Sequence, residues 1–189
     1  MIYKNYDDLG LKDHLKNLFP ICRSITGDGL RKTLQYFEKY HNEYKRIKFK
    51  TGSKVFDWEI PQEWNIKDAF FEHIETGKKY AEFKMNNLHI VNYSEPINEI
   101  IEYEKLIKRI HSLKDRPEWI PYVTSYYKRY WGFCLKDSDK KNLKKGKYRV
   151  YINSSFKSGF LDLSHAILKG KSSKEILFSS YVCHPSMAN

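Results

Sequence analysis

The sequence predicts an α/β fold in which a small β-rich domain interrupts the main one. Three observations carry that expectation. The first forty residues have helical periodicity, the middle reads as short strands joined by tight turns, and the last third returns to strands. The expected division assigns residues 1–50 and 124–189 to the main α/β domain and residues 51–123 to the β-rich insert.

Leu11, Leu15, Leu18 and Phe19 fall on one helical face. Asp7 or Asp8 could cap that helix, and Pro20 follows its end. Gly27-Asp28-Gly29 then breaks the chain, and Asp28 is a natural N-cap for a second helix. Leu30, Leu34, Phe37 and His41 share a face of it, so the two helices read as a packed pair. From Tyr44 the pattern turns extended: Ile47 and Phe49 alternate with Arg46, Lys48 and Lys50. Residues 55–61 are strand-like and end at Pro61. Residues 69–74, 80–85 and 88–93 read as an antiparallel meander, with turns at Thr76-Gly77-Lys78 and Asn86-Asn87. Ile100, Tyr103, Ile107 and Ile110 have helical spacing, and Pro117 and Pro121 bracket an irregular stretch. Strands are expected again at 148–152 and 160–168. Residues 176–182, Ile-Leu-Phe-Ser-Ser-Tyr-Val, suit a strand buried on both faces of a central sheet.

Composition narrows the function classes. With 189 residues, 41 % of them apolar and 16 % aromatic, the chain can bury a sizeable core. No run of roughly 18 apolar residues occurs, so no membrane partner is expected. The opening residues lack the apolar centre of a signal peptide, which points to the cytoplasm. Three widely spaced cysteines do not suggest a disulfide framework, and the lack of a Cys-x-x-Cys pair rules out a zinc finger. The net charge of +11 could attract a polyanion. However, the lysines are scattered, the densest run (136–147) reads as a surface turn, and no nucleic-acid motif accompanies them. No nucleic-acid partner is expected.

Four segments could carry chemistry. In Val182-Cys183-His184-Pro185-Ser186 the histidine directly follows the expected buried strand, at the sheet edge where ligand sites of open α/β folds gather. A neutral imidazole there suits zinc, and Pro185 stiffens the turn; a hydrogen-bonded structural histidine is the bland alternative. Cys183 could act as a nucleophile, but neighbours on a strand face opposite ways, which disfavours Cys–His pairing. Residues 122–134 concentrate tyrosines with Arg129 and Trp131; Tyr126, Arg129 and Trp131 could stack on a substrate and clamp a carboxylate, or merely pack. The loop from Pro20 to Gly29 offers backbone amides to an anion but lacks the Walker ending, so structural capping is favoured. Asp57, Glu59 and Glu63 form a carboxylate cluster whose spacing does not establish convergence.

Residues 18–34, 55–69, 87–96, 121–135 and 181–189, taken together and in order, resemble the aminopeptidase-like family found among polysaccharide-biosynthesis proteins. The resemblance implies part of an α/β/α sandwich like that of the co-catalytic zinc aminopeptidases, interrupted near the front by a small β-rich domain. It implies one or two zinc ions in the complete protein, with His184 as the first metal ligand. The bridging aspartate, the other ligands and the general-base glutamate would lie past Asn189, so no catalytic residue is assigned, and this front part alone is expected to be inactive. The winged-helix domain common in the family has no counterpart here. Ser186 stands where better-studied relatives carry an acidic residue that orients the ligand histidine. The implied substrate is a peptide or a related amide, such as those on surface-polysaccharide sugars. A non-catalytic sugar- or peptide-binding module with a decayed metal site is the alternative.

Overall fold

Residues 10–40 and 43–184 are described by the computed structural model of the chain. Helix α1 (Leu11–Leu18) and helix α2 (Asp28–Glu38) come first. Strand β1 (Lys45–Lys50) leads into a short hairpin of β2 (Lys54–Val55) and β3 (Trp58–Glu59). There follow β4 (Glu63–His73), β5 (Lys79–Tyr80), β6 (Ile97–Glu102) and a single helical turn, α3 (Tyr103–Leu106). Strands β7 (Ile110–His111) and β8 (Phe133–Cys134), helix α4 (Asp137–Lys141), β9 (Lys147–Lys157) and β10 (Phe160–His165) complete the order. The chain is thus a mixed α/β protein. Among the described residues no helix is long and apolar enough to cross a membrane.

The described residues form two compact units, one made of those up to residue 63 together with those from 157 onward, and one of residues 64–156. These limits differ from the expected 51–123 insert. The cause is pairing: β4 and β9, each 11 residues long, are neighbours in one sheet, so the chain stays with the second unit until β9 ends.

In the first unit α2 buries Leu30, Thr33 and Leu34. Its N-cap is Gly27 at φ 89°, a left-handed value that favours glycine, and not the expected Asp28. Asp28 is instead the first helical residue and pairs with Arg31 one turn on, at 2.6 Å. His14 of α1 meets the Tyr36 hydroxyl of α2 at 2.8 Å, so the helices do pack as a pair. The apolar stripe of α1 is less used than its periodicity suggests. Leu18 is buried, whereas Leu11, Leu15 and Phe19 are exposed. The cap residues Asp7 and Asp8, and His41, lie outside the described residues. Strands β1 and β10 pair antiparallel from Lys45↔His165 to Lys50↔Phe160. Residues 176–182 do not form the expected strand: they have no regular structure, and Ile176, Leu177 and Phe178 are 83–90 % exposed. An apolar run becomes a buried strand only where other strands flank it. In this unit β1 pairs with β10 and β2 with β3, and neither ladder includes this segment.

The second unit is built on a four-stranded sheet of order β5-β4-β9-β6. Alternation along β4 and β9 turns Ala69, Phe71, His73, Tyr148, Val150 and Ile152 inward. Phe71 lies at the centre, with ring centroids at 5.4 Å from Tyr80, 5.2 Å from Phe133 and 5.8 Å from Tyr148. Burying each such ring contributes about 2–3 kcal/mol. Trp64 stacks on Tyr93 at 5.7 Å and donates its indole N–H to the Ser94 carbonyl.

Two expectations fail here. The meander keeps β4 and β5, but β5 stops after two residues, where Ala81 takes φ 50°, and the chain runs on through turns and a 3-10 turn at Asn87–His89. The helix expected from Ile100 begins instead as β6, whose Ile97 and Glu102 face Ile152 and Lys147 of β9. β-branched isoleucines at 97, 100 and 101 favour a strand, and helical structure starts only at Tyr103.

Candidate functional site

The loop between α1 and α2 is held more tightly than a connection needs. Arg23, Ser24 and Thr26 are buried, and the Ser24 hydroxyl donates to the Thr26 carbonyl at 2.7 Å. Gly29 is required by close approach: a Cβ there would lie 1.8 Å from the Cys22 carbonyl oxygen. Arg23 reaches out of this loop in two directions. Its Nη1 donates to the Leu18 carbonyl at 3.1 Å, and its Nε donates to the His184 carbonyl at 2.7 Å, across 161 residues of sequence.

His184 therefore sits against the loop and not at the end of a buried strand. Its half-buried ring meets Tyr181 edge-on, with centroids 5.0 Å apart and planes at 86°. Pro185 and Ser186 lie outside the described residues. Cys22 and Cys183 both interact electrostatically with Arg23. Burial nonetheless pushes the Cys22 thiol up to about 12 and raises that of Cys183. Both thus stay protonated near neutral pH, which argues against a cysteine nucleophile. Cys134 is fully buried and is likewise pushed up to about 12 by that burial.

The residues present do not by themselves fit the zinc that the family resemblance implies. His184 supplies an imidazole of suitable chemistry, but among the described residues no three His, Cys, Asp or Glu side chains are grouped so as to hold a metal ion. A zinc site is therefore not completed by these residues, and no reaction step is assigned through the metal.

The carboxylates Asp57, Glu59 and Glu63 do not converge on a reactive centre. Asp57 and Glu59 are exposed on the β2–β3 hairpin. Glu63 is buried and bound by both Arg31 nitrogens, at 2.8 and 2.7 Å, and it accepts the Phe160 N–H at 2.7 Å. Arg31 also reaches Asp162 at 3.3 Å. This network joins α2 to the start of β4 and to β10.

Residues Tyr126, Arg129 and Trp131 belong to the second unit and enter two sets of contacts. Tyr126 meets Tyr93 edge-on at 4.9 Å and shares a 2.8 Å hydrogen bond with the Tyr122 hydroxyl. The Arg129 guanidinium lies over Phe156 at 4.2 Å, with Glu95 at 3.9 Å, and Phe156 in turn contacts Tyr93. Trp131 has Arg109 over its ring at 5.0 Å; the same cation lies 4.7 Å from Tyr130, whose hydroxyl is 3.1 Å from His111. Arg23 was not among the expected site residues. Its signal was a lone arginine in a loop otherwise made of small and apolar residues.

With the geometry established, comparison with known proteins places the chain. Residues 63–155 match a family described as a domain of unknown function, DUF2172. The chain is 43 % identical over 175 residues to a protein of Clostridium acetobutylicum named for polysaccharide biosynthesis and an aminopeptidase-like domain. That match covers 93 % of this chain and 40 % of the clostridial protein. A crystal structure of a protein assigned as a peptidase, also from Clostridium acetobutylicum, superposes with a TM-score of 0.88 at 42 % identity. It covers 94 % of this chain and 42 % of that one, so the chain spans about two fifths of the length of the relatives it matches.

Proposed function

We propose, from its likeness to the clostridial protein with an aminopeptidase-like domain, that the chain is the front part of a zinc-dependent hydrolase acting on a peptide or a related amide in the cytoplasm. The observation that carries the reading is the fixed placement of His184: its carbonyl is held by a buried arginine and its ring lies against Tyr181. In this reading His184 supplies one zinc ligand and the remaining ligands come from outside the described residues. Bound zinc would supply a water of lowered pKa and take up charge on the amide oxygen. The exposed side chains of Ile176, Leu177 and Phe178 then form the surface on which the rest of the hydrolase fold packs.

The experiment is a fusion of this chain to the part of the clostridial relative that it does not cover, assayed on aminoacyl-p-nitroanilides and on N-acyl sugars. Hydrolysis lost on His184→Ala is the expected result. Hydrolysis that survives His184→Ala, or that the 189-residue chain performs alone, would overturn it.

A second reading, a non-catalytic sugar- or peptide-binding module, is favoured by one feature. Tyr127 is 84 % exposed, beside Tyr126 and close in sequence to the exposed Arg129 and half-buried Trp131. Metal-independent sugar binding lost on Trp131→Ala would support it over the first.

A further inference from the structure

We propose that Arg23 is the positioning residue for His184, a role that rests on reading His184 as a metal ligand. A guanidinium only 3 % exposed carries a desolvation cost of several kcal/mol, which protein oxygens must offset. Arg23 directs two of its donors to main-chain carbonyls of distant segments. One, Leu18, is the last residue of α1; its carbonyl lies at the negative end of the helix dipole and accepts the Ile21 N–H at 3.1 Å as well as Arg23 Nη1. The other is the carbonyl of His184 itself. The planar fork thereby ties a rigid helix end to the residue whose imidazole is to be aimed.

The tie matters because no backbone ladder or helix places this stretch. Residues 166–183 have no helix or strand. The fork holds the backbone at 184, and the edge-on contact with Tyr181 sets the plane of the ring. The loop presenting Arg23 is itself held, since Gly29 in the first turn of α2 packs onto the Cys22 carbonyl. Precision of this kind is what a metal ligand requires and what a generic loop contact does not. The segment from Pro20 to Gly29 thus has a task beyond starting α2.

The native cysteines test this without any metal. Cys183 adjoins His184, and Cys134 is buried in the other unit. Wild type, Arg23→Met and Arg23→Lys are exposed to N-ethylmaleimide, and labelling is followed at each cysteine by mass spectrometry. Losing a charge-assisted hydrogen bond should speed Cys183 labelling by roughly tenfold or more in Arg23→Met. Arg23→Lys should be intermediate, because an ammonium lacks the fork that spans both carbonyls. Cys134, in the other unit, should be labelled as in wild type. The His184 ring resonances should be broader in the variants than in wild type.

Unchanged Cys183 labelling in either variant would overturn the proposal. So would labelling that rises in step with Cys134, which is the signature of general unfolding. Should Arg23→Met fail to fold, Arg23→Lys carries the same two outcomes. Zinc is not involved in this test, so its failure is separate from failure of His184 as a ligand.

Discussion

Replacing Arg31 with methionine keeps most of the side-chain volume and removes a guanidinium that binds three carboxylates. Glu63 and Asp162 have side chains only 8 % and 1 % exposed, and Arg31 meets them at 2.7 and 3.3 Å. Asp28, the third partner, is 65 % exposed and adds little. Breaking a buried pair by removing one partner costs about 3–5 kcal/mol, because the other charge is left stranded. Glu63 keeps the Phe160 N–H at 2.7 Å, which softens the loss. The expected cost is therefore about 4 kcal/mol, a large share of a typical domain stability of about 5–15 kcal/mol.

The pH dependence follows from the same groups. Burial pushes the Glu63 carboxyl up, but hydrogen bonds from Arg31 and from the Phe160 N–H outweigh it, so its pKa falls below the ordinary 4.5. A carboxyl lowered on folding adds stability that is present above its unfolded pKa and lost as pH falls through the folded one. In Arg31→Met burial acts with less opposition, and the benefit disappears. The stability gap between wild type and variant should therefore be largest near neutral pH and shrink as pH falls through the carboxylate range. Urea unfolding followed by circular dichroism, with hydrogen exchange of the α2 and β10 peptides, measures both. A loss under about 1 kcal/mol, or a gap that does not change with pH, would refute the reasoning.

Three further outcomes are expected. Phe56 is fully exposed at the hairpin tip with φ 55°, so Phe56→Asn should raise stability by about 1 kcal/mol, seen as a higher melting temperature. Gly29→Ala would ordinarily strengthen a helix, but here its Cβ would strike the Cys22 carbonyl, so a loss of about 1–3 kcal/mol is expected in urea titration. The exposed run at Ile176, Leu177 and Phe178 should make the isolated chain self-associate, and Leu177→Lys with Phe178→Lys should shift its gel-filtration profile towards monomer; a wild-type chain that elutes as a monomer at high concentration would contradict this.

Local signals were legible and distant ones were not. Both helices could be located from the spacing of Leu18, Leu30 and Leu34, and β1, β9 and β10 from alternation at Ile47, Tyr148 and Phe160. The domain limits were not legible, because they depend on β9 pairing with β6 some fifty residues earlier in the chain. Residues 176–182 carry the pattern of a buried strand without the partners that would bury it, so periodicity alone misjudged them. At the site, His184 stood out at the end of an apolar run, whereas Arg23 showed only as a lone arginine in its loop: a contact across 161 residues does not reveal its partner locally. Glu63 was noticed as one of three nearby carboxylates, yet its partner is Arg31, and the other two face solvent.

The central claim is that His184 is one ligand of a zinc site whose other ligands lie outside the described residues. Zinc content measured by mass spectrometry after dialysis tests it most directly, for the chain alone, for its fusion to the uncovered part of the clostridial relative, and for that fusion with His184→Ala. The account predicts stoichiometric zinc in the fusion alone. Equal zinc in the fusion and its His184→Ala variant, or stoichiometric zinc in the chain by itself, would contradict it.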